Sequence, residues 1–408
     1  MTAPLRLGIA LKDAGWHPGA WREPSATPDR LFTGGYWVAL ARTAEDAGID
    51  LLTIEDTFGL QTADAFGGLD LAETRGVRGR FDAVLLADFI APLTSRIGLV
   101  PTVSTALTEP FHVATAIATL DFASRGRAGV RPVAAARPHE AANLGRWAEP
   151  FRPEDLASPE GPAIIADRFG EAADAIEVLR RLWDSWQDDA VIRDVATGRY
   201  LDRDRLHHSD FVGSRFSVKG PSIVPRPPQG QPVVTLLAHQ RVPYLLAAAQ
   251  GDVVFVTPHD DADVIRILGE LRAAERDVDR TGTPLQVWAD AVVLVTDAPG
   301  ELDRLDAAGG PIESDAVLLA GSADEIAERL QHWHELGIEG FRLRPARLPL
   351  DLDRVADGVV PALGLEASTG ATDLRSRLGL PPAPNRFTHV PAFAARDPFA
   401  ATEETTAR

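Results

Sequence analysis

Short apolar runs of strand length alternate with segments of helical period along most of the chain, and this alternation constrains the fold more than any other feature. Residues 5–11 form the first apolar run. Residues 36–47 then carry apolar side chains three and four positions apart, and Gly48 follows as a helix-ending glycine. Units of this kind recur as far as residues 352–363. Repeated strand–helix units predict parallel strands joined by right-handed crossovers.

The number of these units decides between two α/β architectures. It is close to eight, as expected for a closed (β/α)8 TIM barrel. An open doubly wound sheet typically carries a GxGxxG turn after an early strand, and the sequence has none there. The fold class predicted from the sequence is therefore α/β, a (β/α)8 TIM barrel.

Two segments of the sequence are not needed to build a minimal (β/α)8 barrel. Residues 138–231 contain one strong helix pattern, at residues 168–186, and then a long polar stretch that ends in PRPPQGQ. An insertion of this length inside a compact domain is usually functional, and here it would help to close a site. Residues 366–408 are rich in Ala, Pro, Arg and Thr, which predicts an extended or partly disordered C-terminal arm. We therefore expect a barrel domain over residues 1–365 that contains the insertion, followed by a C-terminal extension.

The composition narrows the classes of function. The chain has no cysteine, which excludes disulfides, thiolate metal sites and cysteine nucleophiles. Fifty-nine Asp and Glu residues against 41 Lys and Arg give a formal net charge of −18, and a surface this acidic repels nucleic acid and anionic lipid. No apolar run approaches the roughly 20 residues of a membrane span, and the first residues do not resemble a secretory signal. We expect a cytoplasmic protein that acts on a small molecule, with no nucleic acid or membrane partner.

Several common catalytic motifs are absent from the sequence. It has no GxxxxGKS or GxxxxGKT phosphate loop, no HExxH and no GxSxG. His332 and His334 form a pair, but at helical spacing they point to different faces, so a shared metal ion is not expected. No metal site is predicted.

Candidate site residues follow the predicted strands, because function in this fold lies at the carboxyl ends of the strands. His17 lies in the loop after the first strand, beside two tryptophans, and is the candidate for moving a proton near neutral pH. Asp56 follows the second strand, and Thr102 and Ser104 follow the third. Such side chains could cradle a planar, hydrogen-bonding cofactor, or they could be ordinary caps and loop packing. From the residues alone both interpretations stay open.

Longer stretches of the sequence resemble a known family. Residues 41–56 (ARTAEDAGIDLLTIED), 97–129 (IGLVPTVSTALTEPFHVATAIATLDFASRGRAG) and 216–234 (FSVKGPSIVPRPPQGQPVV) look like the nitrilotriacetate/dibenzothiophene-sulfone monooxygenase branch of the luciferase-like flavin-dependent monooxygenases. The resemblance runs in order through residues 5–365. It implies an FMN-dependent monooxygenase with a (β/α)8 barrel. Such an enzyme takes reduced FMN from a separate NAD(P)H-dependent flavin reductase, uses O₂ to oxygenate a small organic substrate, and forms a homo-oligomer.

The resemblance also bears on single residues. Asp56 and Thr102 match positions that contact the flavin in the family. Arg131 stands where the family has an asparagine, and residues 236–240 read LLAHQ where the family has QAGSS, which closes on the FMN phosphate. A phosphate needs N–H, hydroxyl or guanidinium donors. Four residues could supply such donors by another route: His239, Gln240, Arg137 and Arg168.

These departures leave three interpretations of the cofactor. The chain binds reduced FMN (FMNH2) in an altered way, or it binds the deazaflavin F420 and moves hydride without oxygen, or it is a non-catalytic luciferase-like subunit that has lost its flavin phosphate site. We expect the first. The feature that separates the first from the last is a cradle of cations or N–H donors near the predicted phosphate side.

Overall fold

The structure of the protein is a computed structural model, and it describes residues 4–62, 69–134, 137–146, 158–365 and 373–389. The strands among these residues are β1 Arg6–Leu11, β2 Leu51–Ile54, β3 Gly98–Ser104, β4 Gly129–Val133, β5 Val191–Asp194, β6 Arg199–Leu201, β7 Phe211–Val212, β8 Ser217–Val218, β9 Val233–Leu237, β10 Val253–Val256, β11 Gln286–Val295, β12 Val317–Gly321 and β13 Gly340–Pro345.

Eight of these strands form a closed parallel barrel. β1 pairs with β2 on one side and with β13 on the other, so that Ile9 stands opposite both Leu52 and Leu343. The ring continues through β3, β4, β9, β10 and β11, and pairing of β11 with both β10 and β13 closes it. β12 pairs only with the second half of β11, outside the ring. The structure therefore confirms the α/β TIM barrel predicted from the sequence.

Helices follow most of the barrel strands. They are α1 Gly34–Asp46, α2 Ala83–Ile90, α3 Pro110–Ser124, α4 Pro138–Asn143, α5 Gly161–Asp184, α6 Arg241–Gln250, α7 Asp261–Asp277, α8 Glu301–Gly309, α9 Ala323–Glu335, α10 Leu350–Arg354, α11 Val360–Ala362, α12 Leu374–Arg377 and α13 Arg386–His389, with a π-helical turn Val355–Val359 between α10 and α11. Within the described ranges, none of them is long and apolar enough to cross a bilayer.

The ends of α3 show how local sequence sets the elements next to the site. Pro110 occupies the first turn, where its missing N–H costs no hydrogen bond, and the helix ends at Arg125 in the left-handed conformation. Asp121 is fully buried and accepts hydrogen bonds from the backbone N–H groups of Ala128 and Gln229. The carboxylate thereby ties α3 to the start of β4 and to the end of the insertion.

The barrel interior is filled by side chains that alternate along each strand. Trp288 lies near the amino end of β11, and a Cβ added to Gly340 would lie 2.6 Å from its ring. Glycine at this position of β13 therefore makes room for the indole. Further along the same strands, Asp290 and Arg342 are buried in the place of apolar residues. The interior is thus apolar toward the amino end and charged toward the carboxyl end.

The C-terminal extension closes the amino end of the barrel. Leu374 and Leu378 are buried and belong to one apolar cluster with Leu51 from β2. Within the predicted C-terminal arm, residues 373–389 are therefore ordered and include two short helices, because these leucines cover apolar surface that the barrel end would otherwise expose to water. Residues 390–408 lie outside the described residues, and the domain boundary before this extension stays a prediction.

Two elements after β11, α8 and β12, were not predicted from the sequence, and the insertion has more structure than predicted. α8 is nine residues long and buries one residue, Leu305, so its apolar stripe is too short to stand out in the sequence, while β12 is only half-buried. The insertion, residues 138–231, contains α4, α5 and two antiparallel hairpins, β5–β6 and β7–β8. α5 begins at Gly161, ahead of the predicted start at residue 168. Residues 147–157 of the insertion lie outside the described residues.

Candidate active site

A cavity of about 350 Å³ lies at the carboxyl ends of β2, β3 and β4, near the lower end of the range of roughly 300–1,000 Å³ for ligand pockets. Its polar lining residues are Glu55, Asp56, Thr57, Asp82, Thr102, Ser104, Thr108, His112, Arg131, Arg137 and Glu140. Its apolar lining residues are Phe58, Val84, Leu85, Val103, Val113, Ala116 and Val133. The cavity brings together Asp56, Thr102 and Ser104, three of the four predicted site residues, and His17 does not line it.

Asp56 lies directly after β2, and its carboxylate is held by backbone groups. Oδ1 accepts a hydrogen bond from the N–H of Thr57 at 2.7 Å, and Oδ2 accepts one from the N–H of Ala83 at 2.8 Å. The second bond satisfies a donor at the start of α2, next to the N-cap residue Asp82. Burial raises the pKa of Asp56 to about 6, against the lowering effect of the two hydrogen bonds. The carboxyl group is thus close to half-protonated near pH 6.

Thr102, on β3, is engaged by an arginine of the neighbouring strand. Arg131 donates to the Thr102 hydroxyl oxygen from Nε at 3.2 Å and from Nη2 at 2.9 Å. The same Nη2 also binds the Glu55 carboxylate. Arg131 and Thr102 are both buried. A ligand in the cavity therefore meets the Thr102 hydroxyl only beside a guanidinium group.

Ser104 has a free hydroxyl in the wall of the same cavity. It is the last residue of β3, and its Oγ is buried without a hydrogen-bond partner. A hydroxyl both donates and accepts, and leaving it unsatisfied costs roughly 1–3 kcal/mol. Ser104 is thus the group in the described cavity wall that most needs a ligand or a water molecule.

Glu55 links the cavity to a set of ion pairs inside the barrel. Its carboxylate contacts Arg131 on one side and, at 3.3 Å, Nη1 of Arg342 on the other. Arg342 also binds the buried carboxylate of Asp290, with Nε 2.8 Å from Oδ1. Burial alone would raise the pKa values of Glu55 and Asp290, but the adjacent guanidinium groups hold both below their usual range.

The ion pairs continue to the opposite side of the barrel. Arg344 shares the Asp290 carboxylate and donates to Asp315 Oδ1 at 2.6 Å. The pKa of Asp315 would rise on burial, but His239 and Arg344 lower it. Neither Asp290 nor the two arginines of β13 were singled out in the sequence. A signal was present, because Arg342 and Arg344 alternate with apolar residues and so share one face of the strand.

Lys12 adds a further cation at the barrel mouth. It follows β1 directly, and its ammonium nitrogen lies 4.7 Å from the centroid of the Trp16 ring. The Arg344 guanidinium lies at the same distance from that ring. Burial lowers the pKa of Lys12, against a raising effect of Asp13. The mouth thus holds a lysine whose ammonium form is less favoured than in water.

His17 is buried away from the cavity, against α8. Its Nδ1 accepts a hydrogen bond from the N–H of Gly19 at 2.9 Å, and its Nε2 lies 3.0 Å from Asp306 Oδ1. Because Nδ1 is an acceptor, the proton sits on Nε2 and is donated to Asp306. Nε2 therefore ties the first loop to α8, and Nδ1 stabilises the turn within that loop. A part for His17 in proton transfer stays a prediction, and these contacts favour a structural role.

The four residues considered for the phosphate side are not gathered at one place. Arg137 lines the cavity, where its Nη1 lies 3.7 Å from Glu140. His239 binds Thr257 Oγ1 at 2.9 Å and Asp315 at 3.2 Å, at the ends of other strands. Gln240 precedes α6, and Arg168 lies on α5; neither lines the cavity.

The described residues fit a flavin ring better than they fit a flavin phosphate. The ring has apolar faces and hydrogen-bonding edges, which suit the apolar wall and the free hydroxyl of Ser104. The charged lining residues are the carboxylates Glu55, Asp56, Asp82 and Glu140 and the guanidinium groups Arg131 and Arg137. Both arginines are already in ion pairs. A dianionic phosphate is therefore poorly matched by the described part of the cavity.

Comparison with known families places the chain in a group of oxygenases. The sequence profile of the family described as luciferase-like monooxygenase matches residues 14–309. This match extends from the first loop to the end of α8. It therefore includes the cavity and all four predicted site residues.

Individual relatives agree with that match. One subunit of the pristinamycin IIA synthase of Streptomyces pristinaespiralis is 34% identical over 93% of this chain and 96% of its own length. Nitrilotriacetate monooxygenase component A of Aminobacter aminovorans is 33% identical, but the match spans 73% of this chain and 63% of that protein. Among solved structures, EDTA monooxygenase from Chelativorans sp. BNC1 is 26% identical, with a TM-score of 0.76 over 92% of this chain and 98% of that one.

Proposed function

Because the chain belongs to the luciferase-like monooxygenase family, we propose that it is the oxygenase component of a two-component flavin-dependent monooxygenase. In this proposal a separate NAD(P)H-dependent flavin reductase supplies reduced FMN in the cytoplasm, and the chain uses it with O₂ to oxygenate a small organic substrate. The observation that carries the proposal is the cavity at the carboxyl ends of β2 to β4, with the free hydroxyl of Ser104 in its wall.

In this proposal the residues of the cavity have separate roles toward the flavin ring. Reduced flavin, when bound, supplies the electrons that activate O₂. The Ser104 hydroxyl would hold one polar edge of the ring, and the buried Arg131 would present positive charge beside it. Asp56, with a pKa of about 6, would change its charge near neutral pH without leaving its two backbone hydrogen bonds. The apolar wall would keep water from the reacting atoms.

The lining also limits the class of substrate that we propose. Apolar side chains from α2, α3 and the strand ends make up much of the wall, and carboxylates outnumber arginines around it. Such a surface favours a neutral or cationic molecule with an apolar body over a polycarboxylate. We therefore do not extend the substrates in the names of the nitrilotriacetate and EDTA monooxygenases to this chain.

The test of the proposal is an anaerobic titration of the purified protein with reduced FMN, in which tryptophan fluorescence reports binding. We expect micromolar binding, which Ser104→Ala weakens about fivefold through the loss of one hydrogen bond of about 1 kcal/mol. Thr197→Ala, in an exposed turn of the β5–β6 hairpin, serves as the control and should bind as the wild type does. Reduced riboflavin in a parallel titration measures the phosphate contribution, and equal affinities would agree with the acidic lining.

A second candidate function has its own support. The acidic lining and the paired arginines suit a barrel that does not hold the flavin phosphate, such as a non-catalytic subunit of a two-subunit oxygenase. The name of the relative from Streptomyces pristinaespiralis, which calls it a subunit of a synthase, is compatible with such a role. If neither reduced FMN nor reduced riboflavin binds below the millimolar range, catalysis by this chain alone is contradicted and this candidate takes its place. F420 belongs in the same titration, and tight binding of F420 alone would replace oxygenation by hydride transfer.

A further inference from the structure

Two cationic side chains at the barrel mouth have no counterion. Lys12 follows β1 directly, and Arg80 lies in the loop between β2 and α2. Within the described part of the chain, neither side chain takes part in a hydrogen bond or an ion pair. Both residues are half-buried, and of their side-chain nitrogens only Arg80 Nε is closed to solvent. A ligand can therefore contact both charges.

Lys12 and Arg80 are close enough for their charges to repel each other. Burial lowers the pKa of Lys12, Asp13 raises it, and the charge of Arg80 lowers it further. The other charged neighbours of Lys12 are Glu55 and Arg344, and both are engaged in the ion pairs inside the barrel. The two cations thus lie side by side, and no carboxylate of the described chain forms an ion pair with either of them.

The loop that carries Arg80 is held beside β1 by one side-chain amide. Gln61 Nε2 donates to the carbonyl of Gly79 at 3.0 Å, and Gln61 Oε1 accepts from the N–H of Gly79 at 2.8 Å. The same Nε2 also donates to Asp13 Oδ1 at 2.9 Å, which ties the loop to the residue after Lys12. The position of Arg80 next to Lys12 is therefore built into the fold and does not depend on a flexible surface side chain.

The missing counterions do not reflect a shortage of carboxylates. The chain has 59 Asp and Glu residues against 41 Lys and Arg, and its formal net charge is −18. The three arginines inside the barrel are all in ion pairs with Glu55 or Asp290. Two half-buried cations in proximity destabilise each other unless an anion neutralises them. Lys12 and Arg80 therefore present two uncompensated positive charges to a ligand.

The two cations adjoin the candidate active site without lining its cavity. Asp82, two residues after Arg80, belongs to the cavity lining, whereas Lys12 and Arg80 do not. Burial raises the pKa of Asp56 in the cavity to about 6, and the charge of Arg80 acts in the opposite direction. A molecule whose body fills the cavity can therefore place a charged end at Lys12 and Arg80.

We propose that Lys12 and Arg80 form a binding site for a dianionic phosphate group at the barrel mouth. Two cations match the two charges of a phosphate monoester, whereas a carboxylate would neutralise only one of them. The site lies across the barrel from residues 236–240 after β9, where the resemblance places the flavin phosphate. The phosphate belongs either to a flavin whose ring lies in the cavity, a source that rests on the proposed function, or to a separate phosphorylated molecule.

The first test uses inorganic phosphate and no flavin. In protein labelled with ¹⁵N at the lysine Nζ, NMR follows the titration of Lys12 with and without millimolar potassium phosphate. Bound phosphate should raise the Lys12 midpoint by about half a pH unit or more, because it stabilises the ammonium form. Lys219, which is exposed and paired with Asp210, is the internal control and should not respond. An unchanged Lys12 midpoint overturns the proposal, and so does an equal shift in potassium chloride of the same ionic strength.

The variant Arg80→Met separates binding at the two cations from general screening by salt. Without phosphate it should raise the Lys12 midpoint, because the repulsion from Arg80 is lost. Added phosphate should then cause little further rise. Arg203→Met is the matched control, since the Arg203 side chain is 92% exposed in the insertion, and it should behave as the wild type does. An Arg80→Met protein that keeps the full phosphate response would contradict the assignment.

Anaerobic titrations with two reduced flavins identify the source of the phosphate. If it belongs to the flavin, reduced FMN should bind about tenfold more tightly than reduced riboflavin, and Arg80→Met should remove that difference without changing riboflavin binding. Equal affinities together with a phosphate-sensitive Lys12 signal would keep the site and assign it to a separate phosphorylated molecule. If neither flavin binds while inorganic phosphate still moves the Lys12 signal, the proposed oxygenase function fails and the phosphate site stands.

Discussion

Arg131 Nη2 donates a hydrogen bond of 2.9 Å to the Thr102 hydroxyl, and through Glu55 the same guanidinium is joined to the ion pairs inside the barrel. One side chain of β4 thereby connects β3, β2 and β13. The sequence indicated Thr102 as a cofactor contact, and the structure shows that its oxygen already accepts from a buried cation. Arg131 is therefore both a structural link and a buried positive charge in the wall of the cavity.

We expect Arg131→Met to lower the free energy of unfolding by about 2 kcal/mol. Removing one partner of a buried ion pair typically costs about 3–5 kcal/mol, and the cost is smaller here because Glu55 keeps Arg342. Urea denaturation of the variant and the wild type measures the difference. In a double-mutant cycle, Glu55→Gln should recover part of the loss, because the remaining partner then carries no charge. A loss below about 0.5 kcal/mol would show that the pair is not coupled to stability.

Asp290→Asn should lower the free energy of unfolding more than Arg131→Met does. The Asp290 carboxylate is fully buried and neutralises both Arg342 and Arg344, so its loss leaves two buried guanidinium groups with too little negative charge. We expect a loss of about 3–5 kcal/mol at pH 7, measured by urea denaturation. Arg344 keeps Asp315, which prevents a larger effect.

The stability difference between the wild type and Asp290→Asn should also depend on pH. The arginines hold the pKa of Asp290 below its usual range, so the carboxylate stabilises the folded state above the unfolded pKa near 3.9, and this stability is lost as the pH falls through the lower folded value. The difference between the wild type and Asp290→Asn should therefore shrink in acid. A difference that grows toward low pH would contradict the assignment.

Asp56→Asn should change the pH dependence of stability in the opposite direction. Burial raises the pKa of Asp56 to about 6, so the protonated form favours the folded state below the unfolded value of 3.8, and that stability is lost as the pH rises through about 6. Between pH 5 and pH 7.5 the wild type should lose roughly 1 kcal/mol relative to Asp56→Asn, after allowance for partial exposure.

Thermal or urea unfolding of both proteins at several pH values measures this difference. Asp88 and Asp121 also have pKa values raised to about 6, but they are unchanged in the variant and cancel in the comparison. A wild-type curve parallel to that of Asp56→Asn would show that the carboxyl group does not titrate in this range.

The regular part of the fold could be predicted from the sequence because its periodicity is strong. β10 and α7 lie where the apolar runs place them, since each has an uninterrupted pattern and the Asp260 side chain caps the first turn of α7. α8 was missed because Leu305 is its single buried residue. The packing of Leu374 against the barrel end was missed for a different reason. Its contacts are made with residues far away in the sequence, and composition does not report them.

The candidate site was predictable in position and only partly in chemistry. The rule that barrel sites lie at strand carboxyl ends led to Asp56, Thr102 and Ser104, and the cavity contains all three. The hydrogen bonds that these residues already make depend on side-chain directions that the sequence does not contain. The side chains of Asp56 and Thr102 have hydrogen-bond partners within the protein. The hydroxyl of Ser104, for which the sequence offered the weaker indication of a cofactor contact, has no partner.

Lys12 offers a direct measurement at the barrel mouth, because the chain has only one other lysine, Lys219. Burial lowers the pKa of Lys12 from the usual 10.5, so its ammonium form should lose a proton at lower pH than a lysine in water. In a sample labelled with ¹⁵N at the lysine Nζ, an NMR titration follows just two signals, and Lys219→Arg assigns the one that remains. We expect a Lys12 midpoint below 10.5, and Trp16→Leu should move that midpoint further down, since the ring at 4.7 Å favours the cation by roughly 0.5–1 kcal/mol.

A midpoint at or above 10.5 would mean that the carboxylates around Lys12 outweigh its burial. The mouth would then hold a fully charged lysine, a better match for an anionic cofactor than the acidic cavity beside it.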